Sequence, residues 1–390
     1  MLVVLDGLGA GALPDAASYG DEGSDTLGHL STLKIPNMEY LGIGSITEIN
    51  GISRKGNEGA AGRAAEKSTG KDTTSGHWEI AGIQVSTPFA TFKDGFPEDI
   101  VSSWINANNL PGVLCNKPAS GTEIIKALGL DHIRTGKPIL YTSADSVWQV
   151  AAHETDFGLE HLYSICKSAR NICDGLNISR VIARPFIGTG TPKDPFTRTY
   201  NRKDFSVVPT MKTYLNMLQD RNIPTLGIGK ISNIYAGEGI GKNIETKGNT
   251  HGISVLLNIL AEKNQGLVFA NLIDFDMLYG HRRDPLGYAN ALEEFDRALP
   301  LIKARMHERD LLVITSDHGN DPTFHGSDHT REYIPILAFS PAQKKGWIDL
   351  KTRDTFADIG ATVANALLGK NFTTTGNNLA GTSFLAELGI

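Results

Sequence analysis

The sequence predicts an α/β protein in which a mostly parallel sheet is flanked by helices. Short apolar runs alternate with amphipathic stretches along all 390 residues, which is the pattern of strands and helices in such a sheet. The length exceeds one ordinary core and predicts about two domains. Three of the apolar runs end at an acidic residue. Because ligands bind at the carboxyl ends of strands in open α/β sheets, we expect the functional site there.

Three predicted strands lead to this edge. They share an apolar run followed by a carboxylate: Leu2 to Leu5 before Asp6, Gly266 to Phe275 before Asp276, and Leu311 to Thr315 before Asp317 and His318. Helices are predicted from His77 onward, from Pro285 to about Met306, and from Thr355 to Leu368. Asp284 before Pro285 is a typical helix start, and Pro300 predicts a kink.

The middle of the chain is predicted to be a separate α/β domain. It lies between two Pro-containing segments and holds none of the metal-type motifs. We expect a catalytic core formed by residues 1–89 and 208–390 and an inserted smaller domain over residues 90–207. Its predicted strands are Gly112 to Asn116 and Pro138 to Thr142, each followed by a helix, and Arg180 to Phe186.

Composition narrows the class of protein. The net charge is −6 and the pI about 6.0, which disfavours nucleic acid and anionic membranes as partners. The three cysteines form no C-x-x-C pair, so we expect no disulfide framework and a reducing compartment, the cytoplasm. No signal peptide or transmembrane helix is expected. The oligomeric state stays open.

Six side chains near the strand ends predict a metal centre. Carboxylate and imidazole together favour zinc, manganese or iron over calcium, and the number of donors suits two divalent ions that clamp a phosphoryl group. Each residue alone is as well explained as a turn cap or an ordinary surface residue, but three acids at three strand ends favour the metals. The six are Asp6, Asp276, His281, Asp317, His318 and His329.

A second signal is the hydroxyl-rich stretch from Lys67 to Glu79. Backbone N–H groups at a helix N-terminus stabilise phosphate, and a hydroxyl beside a divalent metal ionises more readily and can attack phosphorus. The alternative is that these residues only cap the helix. The residues themselves leave Thr73, Thr74 and Ser75 open as the nucleophile.

The chain resembles the phosphopentomutases of the alkaline phosphatase superfamily. The resemblance is carried, between residue 6 and about residue 363, by STGKDTTSGHWEIAG, NKPASGTEI, YTSADSV, RVIARPF, GKISNIYAGEG, DFDMLYGHRRDP, SDHGNDP, DHTREYIP and TFADIGATV. The cofactor-independent phosphoglycerate mutases share the metal pattern but lack GKDTTSGHWE and ARPF. The resemblance implies an alkaline-phosphatase-like core in which the inserted domain is a cap.

The resemblance also implies roles for individual residues. Thr73 would accept phosphate and share one metal with Asp6, Asp317 and His318. Asp276, His281 and His329 would hold the other metal. The family uses two Mn²⁺ ions and a sugar bisphosphate activator such as glucose 1,6-bisphosphate. Its substrates are the 1- and 5-phosphates of ribose and deoxyribose, which pass through a 1,5-bisphosphate.

Several further expectations follow from the resemblance. Asp145 and Arg184 on the cap and Lys230 on the core match substrate-binding positions, although each is also explained as an ordinary helix cap or surface charge. Gly7 stands where a small hydroxyl residue is expected. His325 is left out as a ligand. His77 is expected to have a structural or phosphate-binding role, because a metal-activated hydroxyl needs no separate base.

Two other functions stay open from the sequence. A metal-dependent phosphatase or phosphodiesterase would use the same ligands but pass the phosphate to water. A non-catalytic module with structural metals is a third class, but such sites are closed and often rich in cysteine. The cap motifs TSADS and ARPF favour the mutase.

Overall fold

The computed structural model describes residues 1–31, 33–143, 146–262, 265–369, 372 and 378–390. They form two compact units, one made of Met1–Pro88 with Pro209–Ile390 and the other of Phe89–Val208. The strands are β1 (Leu2–Leu5), β2 (Ala60–Ala64), β3 (Leu114–Pro118), β4 (Ile139–Thr142), β5 (Val147–His153), β6 (Arg180–Ile187), β7 (Thr197–Arg198), β8 (Lys203–Ser206), β9 (Thr225–Ile228), β10 (Lys242–Ile244), β11 (Leu267–Leu272), β12 (Leu312–Thr315), β13 (Ile334–Phe339) and β14 (Ile348–Arg353).

The helices lie between these strands. They are α1 (Pro36–Leu41), α2 (Thr73–Ile80), α3 (Glu98–Ala107), α4 (Gly121–Thr135), α5 (Leu159–Gly175), α6 (Tyr214–Gln219), α7 (Ile231–Ile234), α8 (Asn249–Ala261), α9 (Pro285–Lys303), α10 (Ala357–Leu368) and α11 (Leu385–Leu388). Within the described residues, no helix is both long and apolar enough to cross a membrane.

The larger unit is built on an eight-stranded sheet in the order β10-β9-β11-β1-β12-β13-β2-β14. The strands β10, β9, β11, β1 and β12 run parallel, and β13 is antiparallel to both of its neighbours. The α/β class and the mostly parallel sheet are therefore as predicted. The central position of β1 matters most, because its carboxyl end lies between those of β11 and β12.

Both faces of β1 are covered, which explains why its sequence is apolar at every position. On one face, Val3 joins a buried cluster with Leu292 of α9 and Leu256 of α8. On the other, Leu2 lines a small cavity with Val363 of α10 and Leu218 of α6. The sheet is thus a rigid middle layer between two layers of helices.

Helix α9 contains Pro300 and is continuous through that position. A proline has no N–H to offer the carbonyl four residues earlier. That carbonyl belongs to Asp296, and the Asn37 side chain donates to it at 3.0 Å. The Asp296 carboxylate in turn accepts from the backbone N–H of Met38 at 2.7 Å. The proline is therefore accommodated by a contact that also fixes the start of α1.

The smaller unit has its own sheet, in the order β3-β4-β5-β6-β7 with β8 also paired to β6. Its core includes the fully buried Trp104 and Trp148, whose rings meet edge to face at 5.4 Å. The predicted helix after the strand at 138–142 was wrong, because β4 is followed directly by the antiparallel strand β5. Every residue of β5 is buried, including Gln149 and His153, so the strand lacks the alternation of buried and exposed residues that identifies a strand from sequence.

Three predicted boundaries also differ. Helix α2 begins at Thr73 rather than at His77. Strand β11 ends at Leu272, so the apolar residues that follow belong to a helical turn instead of a strand. Helix α9 ends at Lys303, three residues before the predicted end. The first two of these differences lie in the functional site and change how it is built.

Candidate metal centre and nucleophile

The register of the central strands brings the predicted ligands together. Leu5 of β1 is paired with Leu272 of β11, and Val4 is paired with Thr315 of β12. The residues that follow these three strands therefore emerge side by side at one edge of the sheet. Two groups of potential ligands lie there. The first is Asp6 with Asp276 and His318, and the second is Asp276 with His281 and His329. Within each group the donor atoms lie within 4.8 Å of one another.

The first group surrounds the Nε2 atom of His318. An oxygen of Asp6 and an oxygen of Asp317 each lie 3.4 Å from this nitrogen. Both oxygens, Asp6 Oδ1 and Asp317 Oδ2, are buried and accept no hydrogen bond, since His77 Nδ1, 3.0 Å from Asp317 Oδ2, donates to the carbonyl of Thr73 instead. Buried carboxylate oxygens without donors are costly. A cation between these atoms would remove that cost, so the donor set fits a divalent metal.

The histidine tautomers support the same conclusion. In three histidines the Nδ1 atom lies close to a backbone carbonyl: Gly319 at 3.1 Å from His318, Ser327 at 2.6 Å from His281, and Lys71 at 3.0 Å from His329. A carbonyl oxygen can only accept, so each Nδ1 carries the proton. In the neutral ring, Nε2 then presents its lone pair, as in metal-binding histidines.

The second group has two such lone pairs facing each other. The Nε2 atoms of His281 and His329 are 3.2 Å apart. Each also lies 3.3 Å from a carboxylate oxygen of Asp276. Two lone pairs at this distance repel unless a proton or a metal lies between them. The arrangement therefore has a place for a second cation.

A π-helical turn makes this second group possible. It spans Phe275–Gly280, and the N–H of His281 donates to the carbonyl of Asp276 at 3.0 Å, a bond across five residues. In an α-helix, side chains five residues apart point to different faces. The wider π turn brings Asp276 and His281 to the same side, and such turns are frequent at functional sites.

Burial raises the pKa of Asp6, whereas at His318 and Asp276 the neighbouring charges outweigh burial. Burial alone would lower the pKa of His318, but the carboxylates of Asp317, Asp276 and Asp6 outweigh it and raise that pKa well above its usual range. Burial would also raise the pKa of Asp276, but the imidazoles of His281 and His329 hold that pKa well below its usual range. Without a metal, protons would therefore take the place of the cations.

Two asparagines orient the carboxylates, and the sequence did not identify them. Asn271 donates to Asp6 Oδ2 at 2.9 Å. Asn320 donates to Asp276 Oδ1 at 2.7 Å. Partners of this kind fix the direction of a ligand and influence metal affinity. The second asparagine lies in the SDHGNDP motif, so its position beside the ligands was the available signal.

Gly7, the departure from the family pattern, has a structural explanation. Its φ angle is +80°, a left-handed conformation that side chains rarely adopt. In this conformation its N–H donates to Asp317 Oδ1 at 3.1 Å. The backbone at this position therefore supplies a hydrogen bond to a candidate ligand without a hydroxyl group.

Thr73 is the first residue of α2, and its hydroxyl oxygen lies 3.2 Å from His318 Nε2. The hydroxyl of Ser75, in contrast, donates to Asp72 at 2.6 Å. Asp72 is the helix cap and also accepts from the N–H groups of Thr74 and Ser75. These two N–H groups are therefore engaged by the cap, the alternative that the sequence left open. Because Asp72 caps the helix, the Thr73 hydroxyl is not needed as a cap and lies beside the candidate metal ligand His318.

Two other histidines differ in their relation to the ligands. His77 is fully buried, and its Nδ1 lies 2.9 Å from the carbonyl of Thr73 and 3.0 Å from Asp317 Oδ2. His325 is exposed, and its ring lies beside that of Phe324 at a tilt of 31°, with the centroids 4.4 Å apart. It belongs to neither ligand group.

The three candidate substrate residues lie apart in the chain. Lys230 follows β9 at the same edge of the core sheet and lowers the pKa of Asp274, although burial raises that pKa overall. Arg184 lies on β6 of the smaller unit and donates to Gln149 at 2.8 Å. Asp145 lies outside the described residues.

Comparison with known proteins supports the same family. The model of the Metalloenzyme superfamily matches residues 1–371. A phosphopentomutase of Symbiobacterium thermophilum is 51% identical over 373 residues, which cover 94% of each chain. The chain belongs to the phosphopentomutase family. A second phosphopentomutase, from Caldanaerobacter subterraneus subsp. tengcongensis, is 49% identical over 100% of this chain and 97% of that protein.

Membership confirms the predicted class of enzyme. A phosphopentomutase is an isomerase that moves a phosphoryl group, so neither a phosphatase nor a non-catalytic module describes this chain. The superfamily also confirms the binding of divalent metal in general terms. The phosphopentomutase family and the α/β fold agree with the alkaline-phosphatase-like core expected from the sequence.

Metal loading is expected to stabilise the protein. A ligand that binds only the folded state at about 100 times its Kd adds about 2.7 kcal/mol to the free energy of unfolding. Thermal unfolding should therefore occur at a higher temperature with Mn²⁺ than with a chelator. His329→Ala should reduce this difference, and the exposed His325→Ala should keep it. Equal metal-induced shifts in the two variants would contradict the ligand assignment.

Proposed function

We propose that the enzyme interconverts the 1- and 5-phosphates of ribose and deoxyribose through a phosphorylated Thr73. The observation that carries the proposal is the placement of the Thr73 hydroxyl 3.2 Å from His318 Nε2, beside the oxygens of Asp6 and Asp317 that have no donor. A hydroxyl among cation ligands is positioned to exchange a phosphoryl group.

Two divalent metals, Mn²⁺ in this proposal, would stabilise the charge on the transferring phosphoryl group and lower the pKa of the hydroxyl. Asp6, Asp317 and His318 would hold one metal next to Thr73. Asp276 and the two histidines His281 and His329 would hold the other. Asp276 belongs to both ligand groups, so its carboxylate would be available to either metal.

Phosphoryl transfer is proposed to occur in two steps. The phosphoryl group on Thr73 passes to the free hydroxyl of the substrate: the bond from phosphorus to the threonine oxygen breaks, a bond to the sugar oxygen forms, and the proton of the sugar hydroxyl ends on the released threonine hydroxyl. The product of this step is a pentose 1,5-bisphosphate. Thr73 then takes the other phosphoryl group, which leaves the isomeric monophosphate. A sugar bisphosphate such as glucose 1,6-bisphosphate would phosphorylate Thr73 initially.

The inserted domain is proposed to be the substrate cap. Arg184 is largely buried, and burial together with the nearby Arg202 lowers its pKa to about 10. The hydroxyl of Tyr141, which interacts with the same arginines, is buried without a hydrogen-bond partner. An excess of positive charge beside an unsatisfied hydroxyl fits a phosphate group. Lys230 and Asp145 complete the proposed substrate contacts.

The test is a coupled assay of the wild-type protein with ribose 5-phosphate and Mn²⁺, with and without a trace of glucose 1,6-bisphosphate. We expect ribose 1-phosphate to form, at a rate that rises with the bisphosphate. The same assay with deoxyribose 5-phosphate gives the sugar preference. Release of inorganic phosphate without ribose 1-phosphate would contradict the proposal.

The three free cysteines support a reducing compartment, the cytoplasm, for this reaction.

A further inference from the structure

The segment that leads to Thr73 is held by two buried charged side chains of opposite sign. We define this segment, residues 66–72, as the nucleophile loop. Arg331 and Glu79 are 3% and 0% exposed, respectively. Neither belongs to a ligand group, and the transfer mechanism uses neither. A buried charge is costly unless it is fully paired. The groups that pair with Arg331 and Glu79 therefore indicate what these two side chains do.

Arg331 donates both to backbone carbonyls of the nucleophile loop and to carboxylates beside it. Its Nη1 atom lies 2.7 Å from the carbonyl oxygen of Ser68 and 2.8 Å from that of Gly70. The carboxylates of Glu66 and Asp15 complete the shell, at 2.7 and 3.1 Å. The planar guanidinium presents five donors in a fixed direction. It therefore holds several carbonyls of one loop in a defined arrangement.

Glu79 binds backbone N–H groups of the same loop, whereas Arg331 binds its carbonyls. Its carboxylate accepts from the backbone N–H groups of Lys67 at 2.9 Å and Ser68 at 2.6 Å. It also accepts from the hydroxyl of Thr355 and the N–H of Phe356, at 2.7 and 3.1 Å. Glu79 lies in the last turn of α2, and Thr73 begins that helix. Glu79 thus connects the start of the nucleophile loop to the last turn of the helix that Thr73 begins.

The two side chains meet at one residue, Ser68, whose two flanking peptide groups they bind from either side. The N–H of Ser68 donates to Glu79, and its carbonyl accepts from Arg331. Arg331 follows the ligand His329 by two residues, and His329 itself approaches the carbonyl of Lys71. The short segment that contains His329 and Arg331 therefore carries a proposed metal ligand and also contacts the nucleophile loop that leads to Thr73.

We propose that Arg331 and Glu79 are positioning residues that set the distance between the Thr73 hydroxyl and the metal ligands. The inference rests on the proposed role of Thr73 as the phosphate acceptor. A displacement of about 1 Å at a reacting group costs about a hundredfold in rate. Loss of either charge should therefore act on the transfer step more than on substrate binding or metal binding.

The test compares Arg331→Lys and Glu79→Gln with the control Arg353→Lys. Arg353 pairs with Asp358 and Glu387 and has no side-chain contact with the nucleophile loop in the part of the chain that the structure describes. Lysine keeps the charge of Arg331 but not the planar array of donors. We expect kcat to fall about a hundredfold in both test variants, with KM and the Mn²⁺ affinity measured by calorimetry within a few fold of wild type.

The rate at which glucose 1,6-bisphosphate phosphorylates Thr73, followed by mass spectrometry, should fall by the same factor as kcat. Arg331→Ala should regain part of its activity with millimolar guanidinium. An unchanged kcat in folded Arg331→Lys, or a loss explained by weaker Mn²⁺ binding, would overturn the proposal.

If Arg331→Lys does not fold, Asp15→Asn removes one partner of the guanidinium, and an unchanged kcat would then overturn the proposal. If the wild-type protein carries no phosphate on Thr73 in the same experiment, the proposed function fails instead.

Discussion

Thr73→Ala is expected to lose mutase activity by at least about 10,000-fold, since removal of a nucleophile is among the most damaging changes to an enzyme of this type. The variant should also show no phosphorylation by glucose 1,6-bisphosphate. Its metal binding should persist, because the carboxylate and imidazole donors of Asp6, Asp317 and His318 are unchanged. Calorimetry with Mn²⁺ and a coupled assay with ribose 5-phosphate measure the two properties separately.

Two variants serve as matched controls, one at Thr73 itself and one at its neighbour Ser75. Thr73→Ser keeps a hydroxyl at the same position and should retain measurable activity. Ser75→Ala removes a hydroxyl that donates to Asp72 and should cost about 1 kcal/mol of stability but leave phosphorylation intact. Should Ser75→Ala lose activity while Thr73→Ala keeps it, the nucleophile is wrongly assigned and the cap of α2 must be reinterpreted.

Gly76→Ala should damage both the metal site and the nucleophile, although neither is altered chemically. A Cβ atom at this position would lie 1.8 Å from the carbonyl oxygen of Asp317. The backbone of α2 thus packs directly against the segment that carries the ligands Asp317 and His318. The clash must move one of them, and overpacking of this kind costs about 1–3 kcal/mol or more.

The expected result for Gly76→Ala is a lower free energy of unfolding, weaker Mn²⁺ binding and an activity loss of about a hundredfold, as for a displacement of about 1 Å. Urea unfolding with and without Mn²⁺ measures the first two. Gly175→Ala in α5 is the control, because a Cβ atom there would meet no described atom within 4 Å beyond its own chain neighbours and helix backbone. It should be neutral or stabilising by up to about 1 kcal/mol. Equal behaviour of both variants would show that α2 can shift freely.

The parts of the site that could be predicted from the sequence follow from local rules. An apolar run that ends in an acid places Asp6, Asp276 and Asp317 at one sheet edge, because parallel strands end together. The family resemblance added the assignment of Thr73 among three neighbouring hydroxyls. The structure contributes an independent argument for that choice, since Ser75 is engaged by the helix cap.

The parts that could not be predicted depend on contacts between distant residues. Asn271 and Asn320 reach carboxylates 265 and 44 residues away, and although Asn320 lies in the SDHGNDP motif, no local pattern shows which carboxylate either asparagine contacts. Strand β5 is buried at every position, so its sequence lacks the alternation of buried and exposed residues that identifies a strand. The helix start at Thr73 depends on the Asp72 side chain, where the hydroxyl-rich sequence offers several equivalent caps.

The π-helical turn of Phe275–Gly280 restricts changes in chain length at the site. Such a turn amounts to one extra residue within a helical segment, and that residue brings Asp276 and His281 to the same side. Deletion of Met277, which is 38% exposed, would restore ordinary helical spacing and turn one ligand away, whereas substitution there would keep both. The segment should therefore tolerate exchange of residues but no insertion or deletion. Among relatives, the number of residues between these two ligands should vary less than the residues themselves.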